Sequence, residues 1–206
     1  MSHKLDINIE PAQTTLVPKK ICNPERSQAF VELNFEFDST SQVVLSETCN
    51  DIVFLSVVDR KIRDVAMSMF PTGKFFSTYH LLYQAFEKST RLDKRSKHQV
   101  FLNLTANSFD LFVFEKKQRL IFANTFTYQS ANDLLYYLLN VVNRLKIDTG
   151  GLTLKMIDST RDSENLMSIL ESYFLSVNKF SDDENPLSWR VGIQPGLWLI
   201  NPALCE

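Results

Sequence analysis

Between residues 99 and 145, hydrophobic positions form three short runs and then one long apolar segment. The runs 100–105, 109–114 and 119–127 are rich in β-branched and aromatic residues, which favour strands. Polar breaks of hairpin length separate them, so the pattern predicts an antiparallel meander. The second run is apolar without alternation, which is typical of a strand buried on both faces, so helices are expected above and below it.

The long apolar segment after the meander predicts a helix. Ser130 can cap its first turn, and Asp133, three residues later, completes a pattern like a capping box. The apolar face is wider than an ordinary amphipathic stripe, so the helix is expected to pack on the sheet and on a second surface. Residues 148–151, which include Gly150 and Gly151, are expected to stop it.

The first 87 residues predict a looser set of strands and helices. Residues 51–58 are apolar enough for a central strand, and residues 42–47 form a strand beside it. In the first helix, Phe30, Val31 and Leu33 are expected to be buried. Three polar residues are expected to begin helices: Asn23, Asp59 and Thr78.

From residue 99 onward the predicted order of elements is β-β-β-α-β-α, with room for one more strand. A meander followed by helical crossovers back to the sheet indicates a mixed α/β architecture, in which helices flank mixed sheets. This is the order of a ribonuclease-H-like core. That fold serves nucleases and integrases and, when duplicated, the actin-like ATPases, so two lobes are expected.

A basic, polar run at residues 88–98 interrupts the hydrophobic pattern. Such a run can bind phosphates, but it lacks interleaved aromatic residues and contains Asp93, which favours a solvated linker over a nucleic-acid patch. The expected organisation is a reduced first lobe at 1–90, a linker at 91–98 and a ribonuclease-H-like second lobe at 99–206.

Charge and cysteine content narrow the class of protein. The net charge of −2 gives no electrostatic reason to expect nucleic acid as a partner. No apolar run is long enough to span a bilayer and no signal peptide is evident, so no membrane insertion is expected. Cys22, Cys49 and Cys205 are odd in number and widely spaced, which fits a reducing cytoplasm and argues against a zinc site.

Three segments carry a resemblance to a known family: LIFANTFTYQSANDLLYYLLNVVNRL, the earlier LVP…ERSQAFVELNF, and the Leu-Cys-Glu ending. Together they resemble a bacterial family of uncharacterised proteins, domain of unknown function 3822. The resemblance covers the chain from about Thr15 onward. It implies an actin-like ATPase fold with no established activity, and the pilus- and secretion-associated actin-like proteins as more distant relatives.

An actin-like ATPase needs a carboxylate at the end of a lobe's first strand and glycine in the hairpin beyond it, so that backbone N–H groups can approach phosphate. The pattern is Asp-x-Gly-x-x-Thr or Ser. At the matching place Asn103 replaces the carboxylate, Thr105 replaces the glycine, and Ser108 fits. The adenosine-binding Gly-Gly expected after the next strand is also absent, since residues 155–158 read KMID there. The chain is therefore expected to be a pseudoenzyme with no catalytic residue.

Other candidate functional residues give weaker signals for catalysis or metal binding. Asp110 opens the second strand of the meander, where a solvated carboxylate is favoured over a nuclease ligand. His80 is expected to be packed or capping, and neither it nor His98 has a metal-ligand partner at useful spacing. Cys49 and Cys205 would be nucleophiles only with a histidine close in space, and inert thiols are favoured. Four large aromatics are candidates for core packing, which is favoured, or for an interface: Tyr136, Tyr137, Trp189 and Trp198.

Two functions remain open from the sequence. The first is a non-catalytic, actin-like interaction or assembly scaffold, with a protein partner or self-association and no cofactor. The alternative is a degenerate nucleotide binder, in which Asn103, Thr105 and Ser108 face ATP and magnesium in an inter-lobe cleft. The turn from Asn103 to Ser108 is the feature that separates them.

Overall fold

The computed structural model describes residues 6–92, 96–158, 163–180, 191–194 and 197–199. The helices along these residues are α1 (Ser27–Glu32), α2 (Arg60–Met69), α3 (Thr78–Leu92), α4 (Ala131–Arg144) and α5 (Ser163–Glu171). The strands are β1 (Asp6–Ile9), β2 (Gln13–Pro18), β3 (Gln42–Cys49), β4 (Ile52–Asp59), β5 (Lys74–Ser77), β6 (His98–Leu104), β7 (Ser108–Glu115), β8 (Arg119–Thr127), β9 (Leu152–Asp158), β10 (Val177–Lys179), β11 (Val191–Gln194) and β12 (Leu197–Leu199).

The chain divides into two compact units. The first unit is Met1–Gln84 with Pro186–Glu206, and the second unit is Ala85–Asn185. The boundary between Gln84 and Ala85 falls within α3, which runs to Leu92, and the linker expected at residues 91–98 stays a prediction. The end of the chain joins the first unit because β12 pairs antiparallel with β1.

The second unit is built on one mixed sheet with the strand order β10-β9-β6-β7-β8. Strands β6, β7 and β8 form the predicted antiparallel meander. Strands β9 and β10 then add in parallel, β9 against β6 and β10 against β9. The α4 and α5 crossovers make those parallel additions possible, so the predicted order of elements is confirmed, and with it the mixed α/β class.

Strand β7 is buried on both faces, as its unbroken apolar run predicted. On one face its side chains join a cluster with α4 and α5, which contains Phe109, Leu111, Val113, Leu134 and Leu170. On the other face Phe86 from α3 stacks on Phe101 at a centroid distance of 4.8 Å and meets Phe112 at 5.2 Å. Removing side chains of this size from water supplies roughly 1.5–3 kcal/mol each.

Helix α4 begins as predicted and ends differently. The Asp133 N–H donates to Ser130 Oγ at 3.2 Å and the Ser130 N–H donates to Asp133 Oδ2 at 3.0 Å, which completes a capping box. The predicted stop at Gly150 and Gly151 is wrong, because both lie in a separate 3-10 turn just before β9. The helix ends instead at Arg144, and Lys146, two residues later, adopts φ 54° and turns the chain away.

The first unit contains two sheets, with strand orders β11-β12-β1-β5 and β2-β4-β3. The central position predicted for β4 is confirmed. Asp59 caps α2, since its Oδ1 accepts from the Lys61 and Ile62 N–H groups. The cap predicted at Thr78 belongs to the preceding residue, because Ser77 Oγ accepts from the His80 N–H at 3.2 Å.

Helix α1 shows why one predicted core residue is exposed. Asn23 caps a 3-10 turn, Pro24–Arg26, that leads into the helix, and Val31 is fully buried as expected. Leu33 is 81% exposed, so its predicted burial is wrong. The helix ends at Glu32, so Leu33 does not continue the buried face.

Candidate functional site

The three residues predicted to approach a phosphate lie together in the second unit, at the turn between β6 and β7. Asn103 is buried near the end of β6, Thr105 begins the turn, and Ser108 opens β7. The Thr105 N–H donates to the Ser108 carbonyl at 2.9 Å, which closes the turn. Asn103, Thr105 and Ser108 therefore belong to one hydrogen-bonded turn and its flanking strand ends.

The polar groups of this turn are bonded to one another. The Thr105 and Ser108 hydroxyls are hydrogen-bonded at 2.8 Å, and Thr105 Oγ1 also donates to the Ser108 carbonyl at 3.0 Å. The Ser108 N–H donates back to Thr105 Oγ1 at 3.3 Å. Tyr128 Oη donates to the Thr105 carbonyl at 2.7 Å. A phosphate would have to displace these bonds before the turn could donate to it.

Asn103 faces Asp110 across the two strands. Its Nδ2 donates to Asp110 Oδ2 at 2.9 Å, and Thr125 Oγ1 donates to Asp110 Oδ1 at 2.7 Å. Burial raises the pKa of Asp110, and the hydrogen bonds from Thr125 and Asn103 oppose that rise. Asp110 is half-buried and both of its carboxylate oxygens accept from protein donors, so it is solvated only in part. The sequence missed this because both donors come from neighbouring strands.

An open depression of about 420 Å³ lies beside the turn. Its lining residues come from the turn, the end of β8 and the start of α4: Asn107, Thr127, Tyr128, Gln129, Asp133 and Tyr137. Tyr137 stacks on Phe126 at 5.0 Å, so one wall is a fixed aromatic surface. The neighbouring Tyr136 is 64% exposed and meets the Tyr137 ring at 5.5 Å.

The charge of this depression does not suit an anion. Asp133 is the one charged side chain among its six lining residues. Its Oδ2 accepts from the Gln129 and Ser130 N–H groups, which lead into the first turn of α4. The helix start that could attract a phosphate already carries a carboxylate of its own. A phosphate placed here would meet a negative charge.

A second polar cluster lies in the first unit around Glu47 and His80. His80 Nδ1 donates to Glu47 Oε1 at 2.6 Å, and the Ser77 N–H donates to both carboxylate oxygens at 3.1 and 3.0 Å. Glu47 is 8% exposed and His80 is 4% exposed. The His80 ring also stacks on Phe54 at 5.0 Å, so its plane is fixed. His80 is packed, which agrees with one of its two expected roles.

Cys49 also acts on the pKa of His80. Burial alone would lower the pKa of His80, but the Cys49 side chain and then the Glu47 carboxylate raise it, so the pKa of His80 rises to about 9. Cys49 is a free, half-buried cysteine two residues after Glu47 on β3. No local sequence pattern links Cys49 with His80, which lies 31 positions later in the chain.

Some predicted features are not described. Trp189 and Cys205 lie outside the described residues, and of Trp198 the backbone alone is described. Within the described part of the chain, no group of three or more His, Cys, Asp or Glu side chains is placed to hold a metal ion. No helix among the described residues is long and apolar enough to cross a membrane.

Comparison with known families and curated proteins gives one family match. A family model described as "Protein of unknown function (DUF3822)" matches residues 3–177. The resemblance noted in the sequence is thereby confirmed. No curated protein matches the chain.

Two solved structures are similar to the chain. A protein from Bacteroides thetaiotaomicron VPI-5482 with an actin-like ATPase fold and unknown function has a TM-score of 0.79 and 21% identity, and the match covers 90% of this chain and 71% of that chain. The PilM–PilN type IV pilus biogenesis complex has a TM-score of 0.55 and 10% identity, covering 89% of this chain and 71% of that chain. At these identities the likeness establishes the actin-like ATPase fold.

Proposed function

The chain belongs to DUF3822, a family of proteins of unknown function, and from this premise we propose that it is an interaction or assembly scaffold that does not hydrolyse ATP. The observation that carries the proposal is the turn from Asn103 to Ser108. An amide occupies the carboxylate position and donates to Asp110, while the Thr105 and Ser108 hydroxyls bond to each other. Because the polar groups of this turn bond to one another, the turn does not offer the free donors and the carboxylate that bind a phosphate and its metal ion.

Electrostatics beside the turn support the same proposal. Nucleotide phosphates are bound by N–H donors, by cations, or by carboxylates that hold a metal ion. The depression next to the turn has Asp133 as its charged lining residue, and that carboxylate already accepts from two backbone N–H groups. Asp110, the carboxylate that Asn103 contacts, has a raised pKa and two protein donors. These features disfavour a magnesium nucleotide in the second unit.

Two observations favour a protein partner for this fold. One structural relative, PilM, is found in a complex with PilN in type IV pilus biogenesis. In this chain, Tyr136 is exposed beside the Tyr137 and Phe126 stack, and large aromatic side chains anchor protein interfaces. We place this partner surface in the cytoplasm, where the free Cys22 and Cys49 would stay reduced.

Nucleotide binding is tested by thermal unfolding with ATP, ADP or GTP at millimolar concentration with magnesium. A ligand that binds only the folded state raises the melting temperature, and a concentration of 100 times Kd adds about 2.7 kcal/mol. We expect no shift. A clear rise that is lost in Ser108→Ala would contradict the proposal and favour the degenerate nucleotide binder. Asn124→Ala, an exposed change on β8 outside the lining of the depression, is the matched control.

The partner surface is tested separately by cross-linking in the native cell and by light scattering of the purified chain. We expect Tyr136→Ala to remove a specific cross-linked protein or a self-associated form. Tyr173→Ala is the matched control, because Tyr173 is 52% exposed in the same unit. Equal patterns for the unaltered chain and both variants would reject Tyr136 as an anchor.

A further inference from the structure

Strand β8 forms one edge of the sheet in the second unit, and no strand among the described residues pairs with its outer side. Just beyond the strand, the Tyr128 N–H donates to the Asn107 carbonyl at 3.0 Å. Since hydrogen-bonded pairs alternate along an antiparallel ladder, the even-numbered residues of this part of β8 bond to β7. The backbone N–H and C=O groups of Ala123, Thr125 and Thr127 therefore point away from the sheet, and a further strand can add to them.

This edge has little of the protection that native edge strands carry against strand addition. Residues 120–127 read LIFANTFT, without a charge or a proline, although both are common guards of exposed edges. A bulge interrupts the register with β7 at Ile121, and a bulge can end strand pairing. Because the bulge lies near the β7–β8 hairpin, residues 122–127 keep a regular register. These residues form an uncharged edge that is open to a partner strand.

Charges of opposite sign lie at the two ends of β8. The hairpin at its start, residues 115–119, reads EKKQR and carries three positive charges and one negative charge. The Arg119 and Glu115 side chains form an ion pair, and Lys116 is exposed. Beyond the other end of the strand, Asp133 is the charged residue that lines the depression. The edge is therefore basic at its start and acidic beyond its end.

We propose that a second copy of this chain is the partner, and that two β8 edges pair antiparallel about a two-fold axis. This orientation places the basic hairpin of each copy beside the acidic depression of the other copy. A parallel pair would instead bring the two basic hairpins together, which like-charge repulsion disfavours. The inference rests on the scaffold function proposed above, since it names the partner and the surface of that scaffold.

A two-fold axis at Thr125 uses every outward-facing residue of the regular edge. Thr125 then lies opposite its counterpart, and Ala123 lies opposite Thr127 of the other copy. Each of these pairs exchanges two hydrogen bonds, so the two edges gain about six backbone hydrogen bonds. Because the contact is isologous, it closes at two copies and does not propagate into a fibre. The two sheets become one continuous sheet across the dimer.

The dimer is tested by sedimentation of the purified full chain at micromolar to near-millimolar concentrations. We expect a monomer–dimer equilibrium whose Kd rises at least threefold between about 0.1 and 0.5 M salt, because salt shortens the Debye length from about 10 Å. Lys116→Glu reverses a hairpin charge at both symmetric contacts and should raise Kd at least tenfold. Lys88→Glu makes the same charge change at an exposed position of α3, so it should leave Kd within twofold.

The register is tested by an introduced cysteine. In the proposed pair the two Thr125 Cα atoms lie about 5.5 Å apart, which is within the range of a disulfide. Mild oxidation of Thr125→Cys should therefore link the two introduced sulfurs, and mass spectrometry of the linked peptide identifies the bond. Asn124→Cys is the matched control, because side chains at this position are offset between the copies. It should link at least tenfold more slowly.

A chain that stays monomeric at the highest concentration in low salt would overturn the proposal. A dimer with the same Kd in Lys116→Glu and Lys88→Glu would also overturn it, as would equal linking rates for Thr125→Cys and Asn124→Cys. If the dimer fails but Tyr136→Ala still removes a cross-linked protein in the cell, the scaffold function stands with a different partner. A nucleotide-dependent rise in melting temperature that is lost in Ser108→Ala is the separate result that rejects the scaffold function.

Discussion

The Asn103 side chain donates a hydrogen bond of 2.9 Å to the Asp110 carboxylate across the β6–β7 pair. Asn103, which the sequence predicts at the carboxylate position of an actin-like ATPase, is thus a neutral donor, and the Asp110 carboxylate also accepts from Thr125. The pair is part of the sheet's own bonding. Asn103 and Asp110 are therefore expected to contribute to the stability of the folded chain.

Asn103→Asp is expected to destabilise the chain by about 2 kcal/mol at pH 7, because it removes a hydrogen bond to a charged group and places two carboxylates in contact. Repulsion raises the carboxyl pKa in the folded state, so the loss should shrink as the pH falls to 5. Urea unfolding at both pH values measures this. Asn107→Asp, in the exposed part of the same turn, should change stability by less than about 0.5 kcal/mol. An Asn103→Asp protein as stable as the unaltered one would contradict the assignment.

Stability should depend on pH through His80. Its pKa in the folded chain is about 9, above its ordinary value of 6.5, so its contribution is complete below pH 6.5 and is lost as the pH rises to 9. The size of this contribution is about 3 kcal/mol, from the shift in pKa. Urea unfolding from pH 6 to 9.5 measures the slope. His80→Gln should flatten it, and an unchanged slope in that variant would show that another group is responsible.

Ser130→Ala should destabilise the chain by about 1 kcal/mol, because the Asp133 N–H at the start of α4 loses its side-chain acceptor. Ser130→Thr keeps a hydroxyl and should stay within a few tenths of a kcal/mol. Thermal unfolding of both variants tests the capping box. Equal losses for Ala and Thr would mean that the hydroxyl is not the cause.

Phe86→Ala should cost about 3–5 kcal/mol, because Phe86 is fully buried and meets Phe101, Phe112 and Phe180 on one face of the second unit's sheet. Leu175→Ala removes a side chain that is 85% exposed and should change stability by less than about 0.5 kcal/mol. Denaturant unfolding compares the two. A small loss for Phe86→Ala would mean that this face of the sheet is not tightly packed.

The sequence predicted the elements of the second unit well because their signals are local. The apolar run of β7 and the Ser130–Asp133 capping box each depend on residues a few positions apart. The errors also have local causes. Ser77 rather than Thr78 caps α3, and the left-handed residue that follows α4 is Lys146 rather than Gly150, since neighbouring residues can satisfy the same rule.

The candidate sites could be predicted in part. Asn103, Thr105 and Ser108 were found because they share one short turn, but the mutual bonding of their side chains required coordinates. Glu47 and His80 meet only because β3 and the start of α3 are brought together by the fold. No periodicity in the sequence marks that meeting. Long-range pairs of this kind are the part that one sequence does not reveal.

The pairing of β1 with β12 has a consequence for synthesis on the ribosome. Ile7 and Leu199 are register partners, so the sheet of the first unit joins residues from opposite ends of the chain. The second unit, Ala85–Asn185, emerges entirely before β12 does. During vectorial translation it can reach its native packing while β1 still waits for its C-terminal neighbour, so the nascent chain completes its middle before its beginning.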